Sequence, residues 1–186
     1  MSISPMTLEN IDAPLSVQRS IAESNWYAIQ TRARHEKRVA RHLREYGVTT
    51  FLPLLRRVSA WSDRKKRVEV PLFSCYTFVQ VALTNDIRMR ILRAPSVLRF
   101  VGGAGKGAKI PDEQIGSIRT ILKEDIPCAM HPFLCAGKRV RIRGGCLEGV
   151  EGILSEGIRG RRLVISVEIL QRSLSIEVEG YRIEPA

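Results

Sequence analysis

The last fifty residues contain eight glycines (Gly137, Gly144, Gly145, Gly149, Gly152, Gly157, Gly160 and Gly180) set between short alternating runs. That spacing leaves no room for a long helix. Arg139-Val140-Arg141-Ile142-Arg143 alternates strictly, and Leu163 to Ile169 and Leu174 to Val178 are rich in β-branched residues and joined around Gln171-Arg172-Ser173. Strands this short, with turns this frequent, predict a small five-stranded β-barrel over 137–186. The same glycine density and β-branching predict that it stays β, with no switch to helices.

The preceding part reads differently. Trp26 to Gln30 is a β-rich aromatic run, and the stretch from Ala33 to Tyr46 lacks Gly and Pro until Gly47, which predicts a helix. Val48 to Leu55 is broken by Pro53 and predicts an edge or irregular strand. Leu72 to Val81 predicts a strand with Tyr76 and Phe78 on one face and Thr77, Val79 and Val81 on the other. A short helix over Asn85–Arg93, a strand over Val97–Val101, and a helix opened by Pro111-Asp112-Glu113 and running to about Leu122 complete an α/β sandwich with about four strands and three helices. The expected fold class is therefore α+β. Its parts are a polar tail over 1–24, a first domain over 25–123, a linker over 124–136 containing Pro127 and Pro132, and the barrel domain.

Charge is concentrated in one segment of the first domain. The chain carries a net charge of +11, and between Arg32 and Arg67 there are 12 basic and 3 acidic residues. That span holds nine of the eleven excess charges. At about 100° per residue, Arg34, Lys37, Arg38, Arg41 and Arg44 fall on one helix face, opposite Val39, Ala40, Leu43 and Tyr46. Glu36 and Glu45 are too few to neutralise that face by ion pairs along the helix, so a polyanion is its natural partner. A second cluster, Arg64-Lys65-Lys66-Arg67, is expected at a hairpin tip or in a long loop.

Other chemistry is thin. The N-terminus lacks a basic start and an apolar core, so no signal peptide is read, and four scattered cysteines do not form a disulfide framework; a cytoplasmic protein is expected. Cys128, His131, Cys135 and Cys146 have tolerable zinc spacing but straddle the linker, and Gly102 to Gly107 lacks the spacing of a phosphate loop. No nucleophile–base pair is evident. The expectation is no enzyme, no metal and no cofactor.

Several motifs resemble the NusG/RfaH transcription elongation factors. In the first domain they are Trp26-Tyr27, Pro71-Leu72-Phe73-x-x-Tyr76-x-Phe78-Val79 and Phe100-Val101-Gly102-Gly103. Gly137-Lys138-Arg139-Val140-Arg141-Ile142-x-x-Gly145 with Gly149-x-x-Gly152 resembles a KOW motif, and Ser166 to Ser173 resembles the final hairpin of that domain. The resemblance spans about residues 25–186. It implies an N-terminal NGN-like domain that sets Tyr27, Phe73, Tyr76 and Phe78 against the clamp coiled coil of RNA polymerase and suppresses pausing or termination. Arg32, Arg34, Lys37, Arg38, Arg41, His42, Arg64, Lys65, Lys66 and Arg67 are then expected on non-template DNA or nascent RNA. Arg32, Arg38 and His42 match DNA-contacting positions of the RfaH-like branch, whereas Glu45 and Tyr46 depart from it, which implies a different sequence preference.

The Pro-Leu-Phe run resembles the operon-specialised antiterminators of this family. Ile87-Arg88-Met89-Arg90 replaces the His-Thr-Thr-like stretch that touches the polymerase gate loop, and Ser74-Cys75 and Cys146 stand where the family has Pro-containing sequences. On the barrel, Ile169 and Leu170 match the loop that serves a small-subunit ribosomal protein or, less securely, the terminator Rho. A monomer is expected. The alternative reading is a KOW-containing RNA-binding or ribosome-associated protein.

Overall fold

The structure is a computed structural model and describes residues 24–61, 64–134, 137–157 and 160–186; at 58–61, 64–67 and 156–157 only the backbone is described. The tail before Ser24, Asp63 at the basic hairpin and Cys135 of the candidate zinc set lie outside the described residues, as do the side chains of Arg64, Lys65, Lys66 and Arg67.

The N-terminal sheet is antiparallel, ordered β2-β5-β1-β6 (β1 Asn25–Thr31, β2 Thr49–Phe51, β5 Tyr76–Val81, β6 Val97–Phe100). A two-residue β7, Lys109–Ile110, continues the β6 edge against Trp26 and Tyr27. Helices α1 (Glu36–Glu45) and α2 (Asn85–Leu92) flank one face, and α3 (Asp112–Lys123) packs on β1 from the other. Strand alternation explains this division. Tyr27, Ile29, Val79 and Val81 join Val39, Leu43 and Ile91, while Trp26, Ala28 and Phe78 join Ile115, Ile118 and Ile121 of α3.

Several expected boundaries move, each for a local reason. α1 begins at Glu36 rather than Ala33 because Arg34 adopts a left-handed φ of 63°, and a turn closes there with the His35 N–H donating to the Arg32 carbonyl. β5 begins at Tyr76 rather than Leu72. Residues 72–75 form a turn that puts Cys75 at φ 69°, where the backbone cost of about 1–2 kcal/mol is offset by specific bonds. The Cys75 N–H donates to the buried Glu36 carboxylate at 2.8 Å, and its carbonyl accepts from the Thr31 N–H at 2.8 Å. One hydrogen bond thus ties the start of α1 to the start of β5. Of the two placements expected for Arg64 to Arg67 the structure shows the hairpin: they lie at the turn end of a two-stranded ribbon of β3 (Leu54–Trp61) and β4 (Arg64–Pro71), in which Trp61 pairs with Arg64.

The C-terminal half is β-rich, as expected. β9 (Lys138–Arg143), β10 (Glu151–Gly157), β11 (Gly160–Val167), β12 (Arg172–Glu177) and β13 (Arg182–Pro185) form an antiparallel sheet. The β11 run ends two residues earlier than its sequence pattern indicates, because Glu168–Leu170 turns as a 3-10 helix and Gln171 takes φ 51°. The stretch read as a linker supplies a sixth strand, β8 (Cys128–His131), paired antiparallel with β12.

The two halves are packed together. α3 contacts β1 on one side and β10 and β11 on the other, and one apolar cluster runs from Trp26 and Phe78 through Ile115, Ile118 and Ile121 to Val140, Ile142, Leu163, Ile165 and Leu174. No helix among the described residues is long and apolar enough to cross a membrane.

Candidate nucleic-acid and partner interface

The amphipathic pattern of α1 is realised in space. Val39, Ala40 and Leu43 are buried, whereas Arg32, Arg34, Lys37, Arg38, Arg41 and Arg44 are exposed and His42 is half-buried. Lys37 pairs with Glu69 of β4 at 3.7 Å, both side chains about half exposed. Among the described residues no carboxylate pairs with Arg38, Arg41 or Arg44. Uncompensated cations along one helix face repel one another, and that repulsion is relieved when phosphates take their place.

Beside this row lies a groove that sequence reasoning did not find. Its volume is 480 Å³, and its lining includes His42, Tyr46 and Val48 from the α1 side and Asp86, Met89, Arg90 and Arg93 from the α2 side. The His42 and Tyr46 rings lie 4.7 Å apart, and Tyr46 is 60% exposed. A second hollow of 360 Å³, bounded by Arg38, Arg41, His42, Glu45 and Pro95, shares His42 with this groove. An exposed ring bordered by arginines offers a stacking platform for an unpaired base. The helical projection placed Tyr46 on the apolar side of α1, but it stands at the C-terminal cap, after the last helical residue, and is exposed.

The aromatic residues divide between the two sheet faces. Phe73 and Phe78 meet edge to face at 6.0 Å, Phe51 stacks on Phe78 at 6.0 Å, and Trp26 meets Phe51 at 6.4 Å. Phe73 and Phe78 are fully buried, so within this cluster Phe51 and Tyr76 are the partly exposed members. Arg119 of α3 caps it, its guanidinium carbon 4.7 Å from the Trp26 ring and 5.0 Å from Phe51. Tyr27 is not brought together with these residues. It pairs with Val79, so it points to the opposite face against Phe100, and burial raises the pKa of its hydroxyl. The parity of Tyr27 relative to Trp26 was a usable signal; Phe51 and Arg119 had none, because their placement depends on pairing with β5 and on the seating of α3.

The C-terminal sheet covers part of this surface. The Arg172 guanidinium lies over the Tyr76 ring at 5.8 Å. Ile169 sits on Gly102, where a Cβ would come within 2.3 Å of its terminal carbon, so a glycine with φ 78° is what lets the two chains meet. Leu170, the other expected partner residue, is buried in the apolar cluster that the two halves share.

Of the candidate zinc residues, Cys128 and His131 lie on β8, and Cys146 packs its sulfur 3.4 Å from the Tyr181 hydroxyl. Burial raises the Cys128 thiol pKa, opposed by Arg57. Among the described residues no group of three His, Cys, Asp or Glu side chains is placed to hold a metal.

Comparison with known proteins accounts for this layout. Residues 24–119 match the family model described as "Transcription termination factor nusG". The transcription termination/antitermination protein NusG of Lactococcus lactis is 26% identical over 87% of this chain and 93% of its own length. The protein of the same name from Borreliella burgdorferi is 28% identical over 86% and 97%, and that of Escherichia coli K12 27% over 88% and 97%. A structure of Thermotoga maritima NusG, described for its domain interaction, superposes with a TM-score of 0.51 at 17% identity over 87% of this chain and 98% of that one, a likeness of fold. With more than half of its residues matched by the family model, and near-full-length relatives beside it, the chain belongs to the NusG family.

Proposed function

We propose that this protein is a transcription termination/antitermination factor that binds RNA polymerase through its N-terminal half and guides nucleic acid along α1. The observation that carries the reading is the exposed row Arg38, Arg41 and Arg44, without a carboxylate partner among the described residues, in a chain of this family. Tyr76, Phe51 and Arg119 are the accessible edge of the aromatic cluster and take the role of polymerase contact, with Phe73 and Phe78 as the packed floor behind them. Tyr27 supports the sheet from the other face. Residues 25–123 act as the polymerase-binding domain and 137–186 as the KOW domain, whose Ile169 turn serves a ribosomal protein or Rho.

In the packed arrangement Arg172 covers Tyr76 and Gly102 covers Ile169. Polymerase binding through Tyr76 and partner binding through Ile169 therefore both require the halves to separate. The Pro71-Leu72-Phe73 run supports an operon-specialised antiterminator, and the departures at Glu45 and Tyr46 imply its own sequence preference. It acts as a cytoplasmic monomer without a cofactor.

The test is a pause-escape assay on polymerase elongation complexes with the full chain, beside polymerase capture. Tyr76→Ala is expected to lower capture while leaving salt-sensitive binding to single-stranded DNA nearly unchanged. An Arg38→Gln/Arg41→Gln/Arg44→Gln variant is expected to do the reverse. Polymerase capture unaffected by Tyr76→Ala, with RNA or ribosome binding lost in the arginine variant, would replace this reading with that of an RNA-binding or ribosome-associated protein.

A further inference from the structure

Residues 124–134 show no hydrophobic periodicity, yet part of this stretch is the sixth strand of the C-terminal sheet. The pairing is Cys128 with Ile176, Ala129 with Ser175, Met130 with Leu174 and His131 with Ser173. Side-chain burial does not explain it. Ala129 and Met130 are exposed, Met130 at 42%, and Cys128 and His131 are only half-buried.

What holds the strand is its backbone, and the sheet carries a fitting for that backbone. The Ser166 hydroxyl donates to the Leu134 carbonyl at 2.7 Å, and the Leu134 N–H donates to the Ser173 hydroxyl oxygen at 3.3 Å. The two serine oxygens are 2.7 Å apart. Because the Ser166 proton is spent on a carbonyl, Ser173 must donate to Ser166, and its lone pair is then free for the Leu134 N–H. Three hydrogen bonds close into a ring that holds Leu134, just beyond the strand, by its N–H and C=O alone. Ser173 is fully buried beneath it.

We propose that the edge of β12 is a docking site for an extended strand, filled in this structure by the chain's own residues 128–134, and that release of this strand is the step that lets the two halves part. The argument is one of reach. Four residues, 124–127, connect α3 to β8, and a fully extended chain spans at most about 3.6 Å per residue, or roughly 14 Å. While β8 is paired, the C-terminal sheet is confined to that distance from α3. With β8 released, the fourteen residues 124–137 allow roughly 50 Å.

Beside the packing of α3 on β10 and β11, further contacts between the halves lie at one end of the pinned edge. Ile169 lies in the turn entering β12, and Arg172 is its first residue. A strand held by a short ladder and one hydroxyl ring, with little side-chain burial, is suited to release, since each such bond contributes little net stability. This inference stands on the geometry and not on polymerase binding.

Met130→Pro tests it in the full chain, read by amide hydrogen exchange and small-angle scattering. Protection of β12 amides is expected to fall at least tenfold, with β10 and β11 protected as before and an increased maximum dimension. Ser166→Ala should move both readouts in the same direction by less. A peptide of residues 126–134, added at millimolar concentration to the Met130→Pro protein, should restore β12 protection without restoring compactness, because the tether is absent. The proposal is overturned if Met130→Pro lowers β12 protection while the molecule stays compact, if β12 protection does not change, or if the peptide fails to restore it. A collapse of β10 and β11 protection transfers the test to Ser166→Ala alone, where unchanged β12 protection overturns it equally.

Discussion

The cationic face of α1 and the aromatic face of the N-terminal sheet are both described by strict periodicity, yet they meet opposite fates. The arginines of α1 stay exposed and lack carboxylate partners among the described residues. The aromatics are mostly consumed: Trp26, Phe73 and Phe78 are buried, and Tyr76 is overlain by Arg172 from the other half. Like charges in water cost little if they remain hydrated, whereas apolar rings gain from any cover available. A polar face is therefore presented as it was written. An apolar face is only as accessible as its neighbours leave it.

The largest expected effect separates floor from rim. Phe78→Ala should destabilise the protein by about 3–5 kcal/mol in denaturant titration, as removal of a fully buried ring does. Tyr76→Ala, at a half-exposed position, should cost a small fraction of that. If the two were equal, the distinction between floor and rim would fail.

Next comes cover. Gly102→Ala places a methyl against Ile169 at a left-handed position and should loosen the contact between the halves, with a stability loss of about 1–3 kcal/mol by thermal unfolding. Arg172→Ala should uncover Tyr76 and strengthen polymerase capture.

The open face responds through salt. Replacing Arg38, Arg41 and Arg44 by Gln should flatten the slope of log affinity for single-stranded DNA against log salt by about 2, each lost phosphate contact contributing roughly 0.7. Stability should hold or rise slightly as the repulsion is removed. The smallest effect belongs to Glu69→Gln, which frees Lys37 from an exposed ion pair. Stability should change by less than about 1 kcal/mol, and binding at low salt should strengthen modestly.

The legibility of each feature follows how local its cause is. The exposed arginines of α1 were visible because a helix face is set within four residues. Tyr76 and Phe78 were visible as alternate positions of one strand, but that both belong to a cluster capped by Arg119 and faced by Phe51 was not. Tyr27 was grouped with them by motif, although it stands one residue off the parity of Trp26. β8 left no pattern because its side chains bury little; its determinants are Ser166 and Ser173, which read as ordinary polar positions in a hairpin.

By itself the sequence determined a glycine-punctuated β-rich C-terminal half, an α+β first half and a helix with one cationic face, since each follows from short-range periodicity and turn chemistry. Tertiary structure decided which aromatics remain accessible, that β12 acquires an outer strand from the connecting segment, and that Ile169 and Arg172 close over Gly102 and Tyr76. The reason is physical. Hydrogen-bonded sheet edges and apolar faces are satisfied by whatever the rest of the chain brings to them, and those partners lie tens of residues away.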